Sequence, residues 1–239
     1  MTRTAIVTGA ASGLGNALAR LLVERGDRVV GIDLDGPERR HSVESTGATF
    51  LACDVTNLDA WRAAASTAHK ALGNLDLVFL NAGIMSRTPA QAIDDDPIAL
   101  AATDGYRRVF GVNVDGVVFG VTALAPMLGS NAAITVTAST AALGPLPFDP
   151  YYAATKHAVA GYVRSLGPVF TARGMRINAL CPGGIDTNIV PDPLRAAMPA
   201  STFRPARDVA RALVAVSETN GSGTLYTLTD DDSLITPVN

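Results

Sequence analysis

TAIVTGAASGLG, residues 4–15, joins a short apolar run, a glycine-rich turn and the beginning of a helical pattern. The run Thr4–Thr8 is rich in β-branched residues, which predicts a buried β-strand. The glycines within Gly9–Gly15 allow a tight turn and a close approach of the backbone to a ligand, although glycines alone are a weak signal. Since the N–H groups at a helix N-terminus attract anions, the unit predicts a phosphate cradle of the kind that binds a dinucleotide.

Strand-like runs and helical patterns alternate along the rest of the chain. The predicted strands are Thr4–Thr8, Val29–Ile32, Ala48–Cys53, Leu75–Leu80, Ala132–Ala138, Arg176–Leu180 and Thr224–Leu228. The predicted helices are Asn16–Arg25, Leu58–Leu72, Gly105–Leu128, Pro150–Ala172 and Arg207–Val216. This alternation predicts an α/β fold with a parallel sheet of about seven strands and helices on both faces. In such a sheet, ligands bind beyond the carboxyl ends of the strands.

Length and composition limit the class of protein. With 239 residues, of which 48% are apolar and 17% charged, the chain suits a single domain spanning residues 1–239. The net charge is -3 and the basic residues are scattered, so no nucleic-acid partner is expected. The two cysteines, Cys53 and Cys181, do not have the spacing of a zinc site, and no bound metal is expected.

No segment of the sequence is expected to enter a membrane. The N-terminus leads directly into the first strand without a signal-peptide pattern, which together with the few cysteines fits a cytoplasmic location. The stretch Gly116–Phe148 carries no charge, but Pro126, a predicted turn at 129–131 and Gly144 divide it into pieces too short to span a bilayer.

An acidic residue lies where the ribose of a dinucleotide would need a hydrogen-bond acceptor. Asp33 follows the second predicted strand and lies 20 residues after Gly13. A carboxylate there accepts hydrogen bonds from the adenosine ribose and repels a 2′-phosphate, which favours NAD over NADP. Leu34 supplies no adjacent cation, and Arg39 and Arg40 are consistent with solvated helix charges. An ordinary loop acid is the alternative interpretation of Asp33.

The stretch Asp149–His157, reading DPYYAATKH, is the main candidate for chemistry. It begins like a helix, because an aspartate can cap the N-terminus and the following proline suits the first turn. Tyr152 and Lys156 are four residues apart and would project from one face of that helix. Ionising a free tyrosine at neutral pH costs roughly 4 kcal/mol, and an ammonium about 4 Å away contributes a similar amount at an effective dielectric of about 20. The alternative is a core tyrosine beside a surface lysine.

Two other polar residues have positions that suggest a role. Asn113 falls within the long predicted helix, where a buried amide needs partners and therefore either bridges structure or holds a water chain. Ser139 follows the fifth predicted strand without a surrounding Gly-x-Ser-x-Gly elbow. We therefore predict that Ser139 donates a hydrogen bond to a substrate oxygen and is not a nucleophile.

Taken together and in order, these motifs resemble the short-chain dehydrogenase/reductase family in its basic single-domain form. The segments that carry the resemblance are Thr8–Gly15, Asp54-Val55, Asn81–Gly83, Asn113, Ser139, Tyr152, Lys156 and Pro182–Thr187. The resemblance extends over nearly the whole chain. It implies a Rossmann-type doubly wound sheet, an NAD cofactor, with NADP less favoured, and the interconversion of a secondary alcohol and a ketone.

The resemblance also implies a role for each matching residue. The implied catalytic residues are Asn113, Ser139, Tyr152 and Lys156. The implied cofactor-binding residues are Gly9, Ser12, Gly13, Leu14, Gly15, Asp33, Asp54, Val55, Asn81, Ala82, Gly83, Tyr152, Lys156, Pro182, Gly183, Ile185 and Thr187. Tyr152 would act as general base or acid, Lys156 and the positively charged nicotinamide would lower its pKa, and Asn113 would hold a water that relays protons.

The substrate pocket is less well specified. The expected lining residues are Met85, Ser139, Ala141, Leu143, Leu146, Phe148, Tyr151, Tyr152 and Ile185. Most are apolar and no cluster of Arg or Lys is evident for a carboxylate or phosphate, so a hydrophobic alcohol or ketone is expected. Residues 184–205 are predicted to form a mobile substrate flap, and residues 230–239 a polar tail.

Two other functions stay open on the same fold. A non-catalytic NAD(P)-binding regulator would keep the glycine turn but would not need Ser139, Tyr152 and Lys156 together. A sugar-nucleotide epimerase would usually add a larger C-terminal lobe, and only about fifty residues follow Thr187. The family commonly forms tetramers through the helices that bear Asn113 and Tyr152, so a homo-oligomer, a tetramer or a dimer, is expected.

Overall fold

The computed structural model describes residues 2–87, 95–99, 104–229 and 234–238, without the side chains of residues 193, 194 and 197. The strands are β1 (Thr4–Thr8), β2 (Arg28–Asp33), β3 (Thr49–Ala52), β4 (Leu75–Leu80), β5 (Leu128–Thr137), β6 (Arg176–Leu180), β7 (Gly184–Ile185), β8 (Phe203–Arg204), β9 (Leu225–Leu228) and β10 (Ile235–Val238). The helices are α1 (Gly13–Glu24), α2 (Pro37–Glu44), α3 (Leu58–Leu72), α4 (Gly105–Phe110), α5 (Gly116–Leu124), α6 (Pro150–Thr171), α7 (Asp192–Ala197) and α8 (Ala206–Ser217).

Eight strands form the central sheet in the order β3-β2-β1-β4-β5-β6-β9-β10. Neighbouring strands are parallel except β10, which runs antiparallel to β9. The strand order reverses between β1 and β4, which opens a crevice at the carboxyl ends of these two strands. The predicted α/β doubly wound sheet is therefore confirmed. The predicted polar tail is wrong for Ile235–Val238, because this segment pairs with β9 as an eighth strand.

Each face of the sheet is covered by helices over its own hydrophobic core. On one face, Ala5 and Val7 of β1 pack in a cluster with residues of α1 and α8. On the other face, Ile6 packs in a cluster that includes Trp61 of α3 and Val163 of α6. Successive β1 side chains alternate between the two cores, as the two-residue period of a strand requires. A strand buried on both sides explains why the middle of β1, Ala5–Val7, is apolar throughout.

The helical run Gly105–Met127 is long and apolar enough to cross a membrane by length and composition alone. It packs closely on the sheet, since a Cβ added at Gly120 would lie 2.8 Å from Leu80 Cδ2 and 3.0 Å from Trp61 Cζ2. Such close packing is also what the core helix of an α/β domain shows. The run is not one regular helix, because the π-helical segment Gly111–Asp115 joins α4 to α5.

The predicted turn at residues 129–131 is wrong. These residues belong to β5, which begins at Leu128 beside Leu75. The register between β4 and β5 shifts between Leu75 and Leu77, and Asn131 has a φ of 65° within the irregular part. A Gly-Ser-Asn sequence suits this irregularity as well as it suits a turn, so the local pattern could not separate the two.

The predicted flap contains regular structure. β7 and β8 form a separate parallel pair, in which Gly184 lies beside Phe203 and Ile185 beside Arg204. In the stretch that connects these two strands, Arg195 of α7 forms an ion pair with Asp186, with 2.5 Å between Nη1 and Oδ1. These contacts join parts of the segment to one another, and its mobility stays a prediction.

Candidate active site

A cavity of about 560 Å³ opens at the carboxyl ends of β1, β4, β5 and β6. This is the edge of a parallel sheet where ligands bind, and it includes the crevice between β1 and β4. The predicted residues that line it are Gly9, Ser12, Gly13, Leu14, Gly15, Asn81, Ala82, Gly83, Met85, Ser139, Ala141, Leu146, Phe148, Tyr152, Lys156, Pro182, Gly183, Ile185 and Thr187. The fold thus brings together segments from most of the length of the chain.

The glycine turn between β1 and α1 is packed too closely for side chains at its glycines. Gly9 and Gly13 have φ values of 68° and 50°, which favour glycine. A Cβ added at Gly15 would lie 2.1 Å from the carbonyl oxygen of Gly9. With no side chains at these glycines, the turn lines the cavity with its backbone, next to the N-terminus of α1. This cradle fits the pyrophosphate of a dinucleotide.

Asp33 lies beside this turn at the end of β2. Its Oδ2 accepts a hydrogen bond from the backbone N–H of Ala11 at 2.9 Å, and its Oδ1 accepts one from Leu34 N–H at 2.9 Å. Arg39 Nε lies 3.5 Å from Oδ1. Arg39 is therefore more than a solvated helix charge, whereas Arg40 lies over the ring of Phe50. Asp33 does not line the cavity, and its contact with an adenosine ribose stays a prediction.

The first two turns of α6 place Tyr152 and Lys156 on one face of the helix, as the four-residue spacing predicts. Asp149 caps the helix, and its carboxylate accepts a hydrogen bond from Tyr152 N–H at 3.0 Å. Lys156 Nζ lies 5.4 Å from the centroid of the Tyr152 ring and donates to the carbonyl oxygen of Thr137 at 2.8 Å. The lysine is 3% exposed, and the loss of solvation lowers its pKa to about 8. It is therefore still mostly protonated at neutral pH.

The protein groups alone keep Tyr152 protonated. The pKa of Tyr152 is raised to about 12. Loss of solvation is the main cause of the rise and the charge of Asp149 adds to it, while a hydrogen bond with Ser139 acts in the opposite direction. The expectation that Lys156 brings this pKa toward neutrality is not met by the protein groups alone, because desolvation outweighs the attraction of an ammonium that lies over the ring. A further positive charge in the cavity is needed for the tyrosine to ionise near neutral pH.

Ser139 faces Tyr152 from the loop that follows β5. Its Oγ accepts a hydrogen bond from Ala141 N–H at 3.1 Å, which caps the 3₁₀ turn Thr140–Ala142. The backbone of Thr140 donates to the carbonyl oxygen of Pro182 at 2.9 Å and so joins this loop to the segment after β6. With its oxygen already accepting one hydrogen bond, the hydroxyl can direct its proton toward the cavity.

Asn113 lies in the π-helical segment and is 1% exposed. Its amide nitrogen donates to the carbonyl oxygen of Ile84 and to Thr155 Oγ1, each at 3.0 Å, and its oxygen accepts from Ile84 N–H at 2.9 Å. The side chain therefore bridges the loop after β4 and helix α6, which is one of the two roles left open for it. Asn113 does not itself line the cavity, and its water relay stays a prediction.

Ser86 is a site residue that the sequence did not reveal. Asp149 is fully buried and accepts hydrogen bonds from both the backbone N–H, at 3.0 Å, and the hydroxyl of Ser86. Next to it, Arg87 Nε donates to the carbonyl oxygen of Phe148 at 2.5 Å. The two segments are about sixty residues apart in sequence, so no local pattern pointed to the contact. Asp149 thus connects the loop after β4 to the backbone of Tyr152.

Some predicted lining residues lie elsewhere. Leu143 is exposed. Tyr151 lies outside the cavity lining, and its hydroxyl donates a hydrogen bond to the carbonyl oxygen of Ile98 at 3.2 Å. Asp54 and Val55 follow β3 outside the cavity lining, and their contact with adenine stays a prediction. The sequence shows no cluster of Arg residues, but the fold brings Arg87 and Arg108 together in the lining of the cavity.

No set of three His, Cys, Asp or Glu side chains in the described ranges is placed to hold a metal ion. The arrangement instead offers a phenol, a hydroxyl and an ammonium beside a backbone cradle. This set can transfer a proton to or from a bound oxygen and stabilise charge that develops there.

Comparisons with known proteins agree with this geometry. The sequence profile of the short chain dehydrogenase family matches residues 3–196. A cis-4-hydroxycyclohexanecarboxylate dehydrogenase of Sinomonas cyclohexanicum is 38% identical over 209 residues, which cover 83% of this chain and 80% of the relative. A mitochondrial borneol dehydrogenase of Lavandula x intermedia is 32% identical over 194 residues, covering 80% of this chain and 72% of the relative.

Solved structures show the same fold. A 3-ketoacyl-(acyl-carrier-protein) reductase from Brucella melitensis, complexed with NADH, superposes with a TM-score of 0.81 at 26% identity and covers 94% of this chain and 96% of its own. The ordered motifs, the cavity that they line and the match over residues 3–196 have one explanation. This chain belongs to the short chain dehydrogenase family.

Proposed function

We propose that the protein is an NAD-dependent oxidoreductase that interconverts a secondary alcohol and a ketone of a hydrophobic small molecule. The observation that carries the proposal is the convergence of Ser139, Tyr152 and Lys156 on one cavity wall beside the glycine cradle. A non-catalytic regulator would not need all three. The relatives named above support the same class, since their names describe dehydrogenases of hydroxylated or alcohol compounds.

Each side chain has a defined part in this reaction. Tyr152 takes the proton of the substrate hydroxyl during oxidation and returns it during reduction. Ser139 donates a hydrogen bond to the same substrate oxygen. Lys156, mostly protonated with a pKa of about 8, favours the ionised tyrosine. A bound nicotinamide would supply the hydride chemistry and, in its oxidised form, the further positive charge that Tyr152 needs.

The preference for NAD is supported by the carboxylate of Asp33 beside the glycine turn. A second negative charge from a 2′-phosphate would be repelled there. Arg39, 3.5 Å from that carboxylate, opposes this effect in part. Since the carboxylate is the nearer group to the turn, through its 2.9 Å hydrogen bond with Ala11 N–H, we propose that NAD is favoured.

A panel of secondary alcohols, followed by nicotinamide absorbance with NAD and with NADP, tests the proposal. The panel contains borneol, cis-4-hydroxycyclohexanecarboxylate and the methyl ester of that acid. We expect turnover of at least one member and a higher kcat/KM with NAD. A protein that binds the cofactor but turns over no member of a broad panel would be a regulator, and a preference for NADP would overturn the role of Asp33.

Asp149→Asn is expected to move the pH profile of alcohol oxidation toward lower pH. The carboxylate raises the pKa of Tyr152, so removing its charge lowers that pKa and ionises the base at a lower pH. Asparagine keeps an oxygen for the helix cap, so α6 is retained. The measurement is kcat/KM for oxidation as a function of pH.

Ser86→Ala is the matched control for this change. It removes the hydroxyl hydrogen bond to Asp149 but leaves the negative charge in place. We expect a lower melting temperature without a displaced pH profile. If Asp149→Asn left the profile unmoved, or if Ser86→Ala moved it equally, the charge of Asp149 would not tune the base.

A further inference from the structure

The cavity is positively charged within a protein that is negative as a whole. Among the described lining residues the ionisable cations are Arg87, Arg108 and Lys156, and none is an aspartate or glutamate. The whole chain has a net charge of -3. A cavity lined by cations alone favours a ligand with negative charge. The backbone N–H groups at the glycine turn can bind the phosphates of a cofactor. The positively charged side chains are therefore not needed for that purpose, and a second anionic group would explain them.

Two of the three cations already have structural roles. Lys156 is buried against Tyr152 and donates to the carbonyl oxygen of Thr137. Arg87 is 4% exposed, and it donates to the carbonyl oxygens of Phe148 at 2.5 Å and Asp95 at 2.7 Å. Both therefore fix the wall of the cavity. Their charges contribute to the field inside it, but their donors are engaged with the protein.

Arg108 differs from both. It is exposed, and among the described residues its side chain has one hydrogen bond, from Nη2 to the carbonyl oxygen of Ser86, at the long distance of 3.5 Å. No carboxylate in the described part of the chain forms an ion pair with it. A guanidinium has five N–H donors in a planar fork, so Arg108 keeps most of them for a ligand. The fork matches the two oxygens of a carboxylate.

The rest of the substrate end is apolar. Met85, Leu146 and Phe148 line the cavity near the loops that carry Arg87 and Ser139. Such a wall suits a hydrocarbon body between two polar ends, one at Tyr152 and one at Arg108. The preferred ligand would therefore have an apolar body, a polar group at Tyr152 and a second polar group at Arg108.

We propose that the enzyme selects hydroxy acids and oxo acids, in which an apolar body carries the reacting oxygen at Tyr152 and a carboxylate at Arg108. This inference rests on the proposed alcohol oxidation and narrows its substrate class. It adds a carboxylate to the hydrophobic alcohol or ketone that the sequence predicts. One arginine without a second glycine cradle suits a carboxylate better than a phosphate.

The test compares cis-4-hydroxycyclohexanecarboxylate with its methyl ester in the wild type, Arg108→Gln and Arg107→Gln. Arg107 is the preceding residue of α4, is exposed and does not line the cavity, which makes it a matched control. We expect the wild type to prefer the acid. In Arg108→Gln, KM for the acid should rise about 10- to 100-fold, as a lost charged hydrogen bond requires, with KM for the ester unchanged. Arg107→Gln should behave as the wild type.

A second readout does not depend on turnover. Calorimetry of the acid binding to the protein in the presence of NADH should show the same loss of affinity in Arg108→Gln alone. The inference is overturned if the wild type uses the ester as well as the acid, or if Arg108→Gln weakens both ligands equally or neither. If no alcohol of the panel is turned over, the proposed function fails, and the calorimetric comparison still decides whether Arg108 binds the carboxylate.

Discussion

Tyr152→Phe is expected to lower kcat for alcohol oxidation by about 100- to 10,000-fold, the usual contribution of a general base. The substitution removes only the hydroxyl that exchanges a proton with the substrate. The phenyl ring can still occupy the place beside Lys156, 5.4 Å from the ammonium. The affinity for NADH should therefore stay within a few-fold of the wild type. The measurements are kcat from nicotinamide absorbance and the dissociation constant from NADH fluorescence.

Tyr151→Phe is the control for this variant. Tyr151 is the adjacent residue of α6, but its hydroxyl donates to Ile98 O outside the cavity, and its ring packs edge-on against Tyr106. Loss of that hydroxyl should leave kcat nearly unchanged. If Tyr152→Phe kept wild-type turnover, Tyr152 would not be the general base, even if the variant bound NADH normally.

Gly15→Ala is expected to abolish measurable NAD binding and to lower the free energy of unfolding by about 1–3 kcal/mol, as overpacking does. The new Cβ would lie 2.1 Å from the carbonyl oxygen of Gly9 and 2.9 Å from Asn81 Nδ2. The oxygen belongs to the backbone of the turn, so the turn itself must move. Calorimetric titration with NAD and thermal unfolding measure the two effects.

Gly161→Ala provides the comparison. A Cβ added at Gly161 on α6 would meet nothing within 4 Å. Because alanine is the better helix former by roughly 0.5–1 kcal/mol, this variant should unfold at the same or a slightly higher temperature and bind NAD normally. Normal NAD affinity in Gly15→Ala would show that the turn does not approach the cofactor as closely as proposed.

Local patterns were sufficient for most of the regular structure. β1, β4, β6 and α3 have the predicted bounds, since each strand is a short, mostly apolar run and the helix has an amphipathic period. The predictions were wrong where the partner strand decided the structure. Ile235–Val238 becomes a strand by pairing with β9, and residues 129–131 extend β5 because Leu128 lies beside Leu75.

The sequence by itself determined the α/β class, the glycine turn and the pairing of Tyr152 with Lys156, because each depends on spacing within one short segment. Only the tertiary structure decided the surroundings of these groups. It partly buried Tyr152, whose loss of solvation raises its pKa to about 12, and it joined Asp149 to Ser86. It also brought Arg108 to the same cavity from a distant segment. Burial and charge inside a cavity arise from long-range contacts, which residue spacing does not encode.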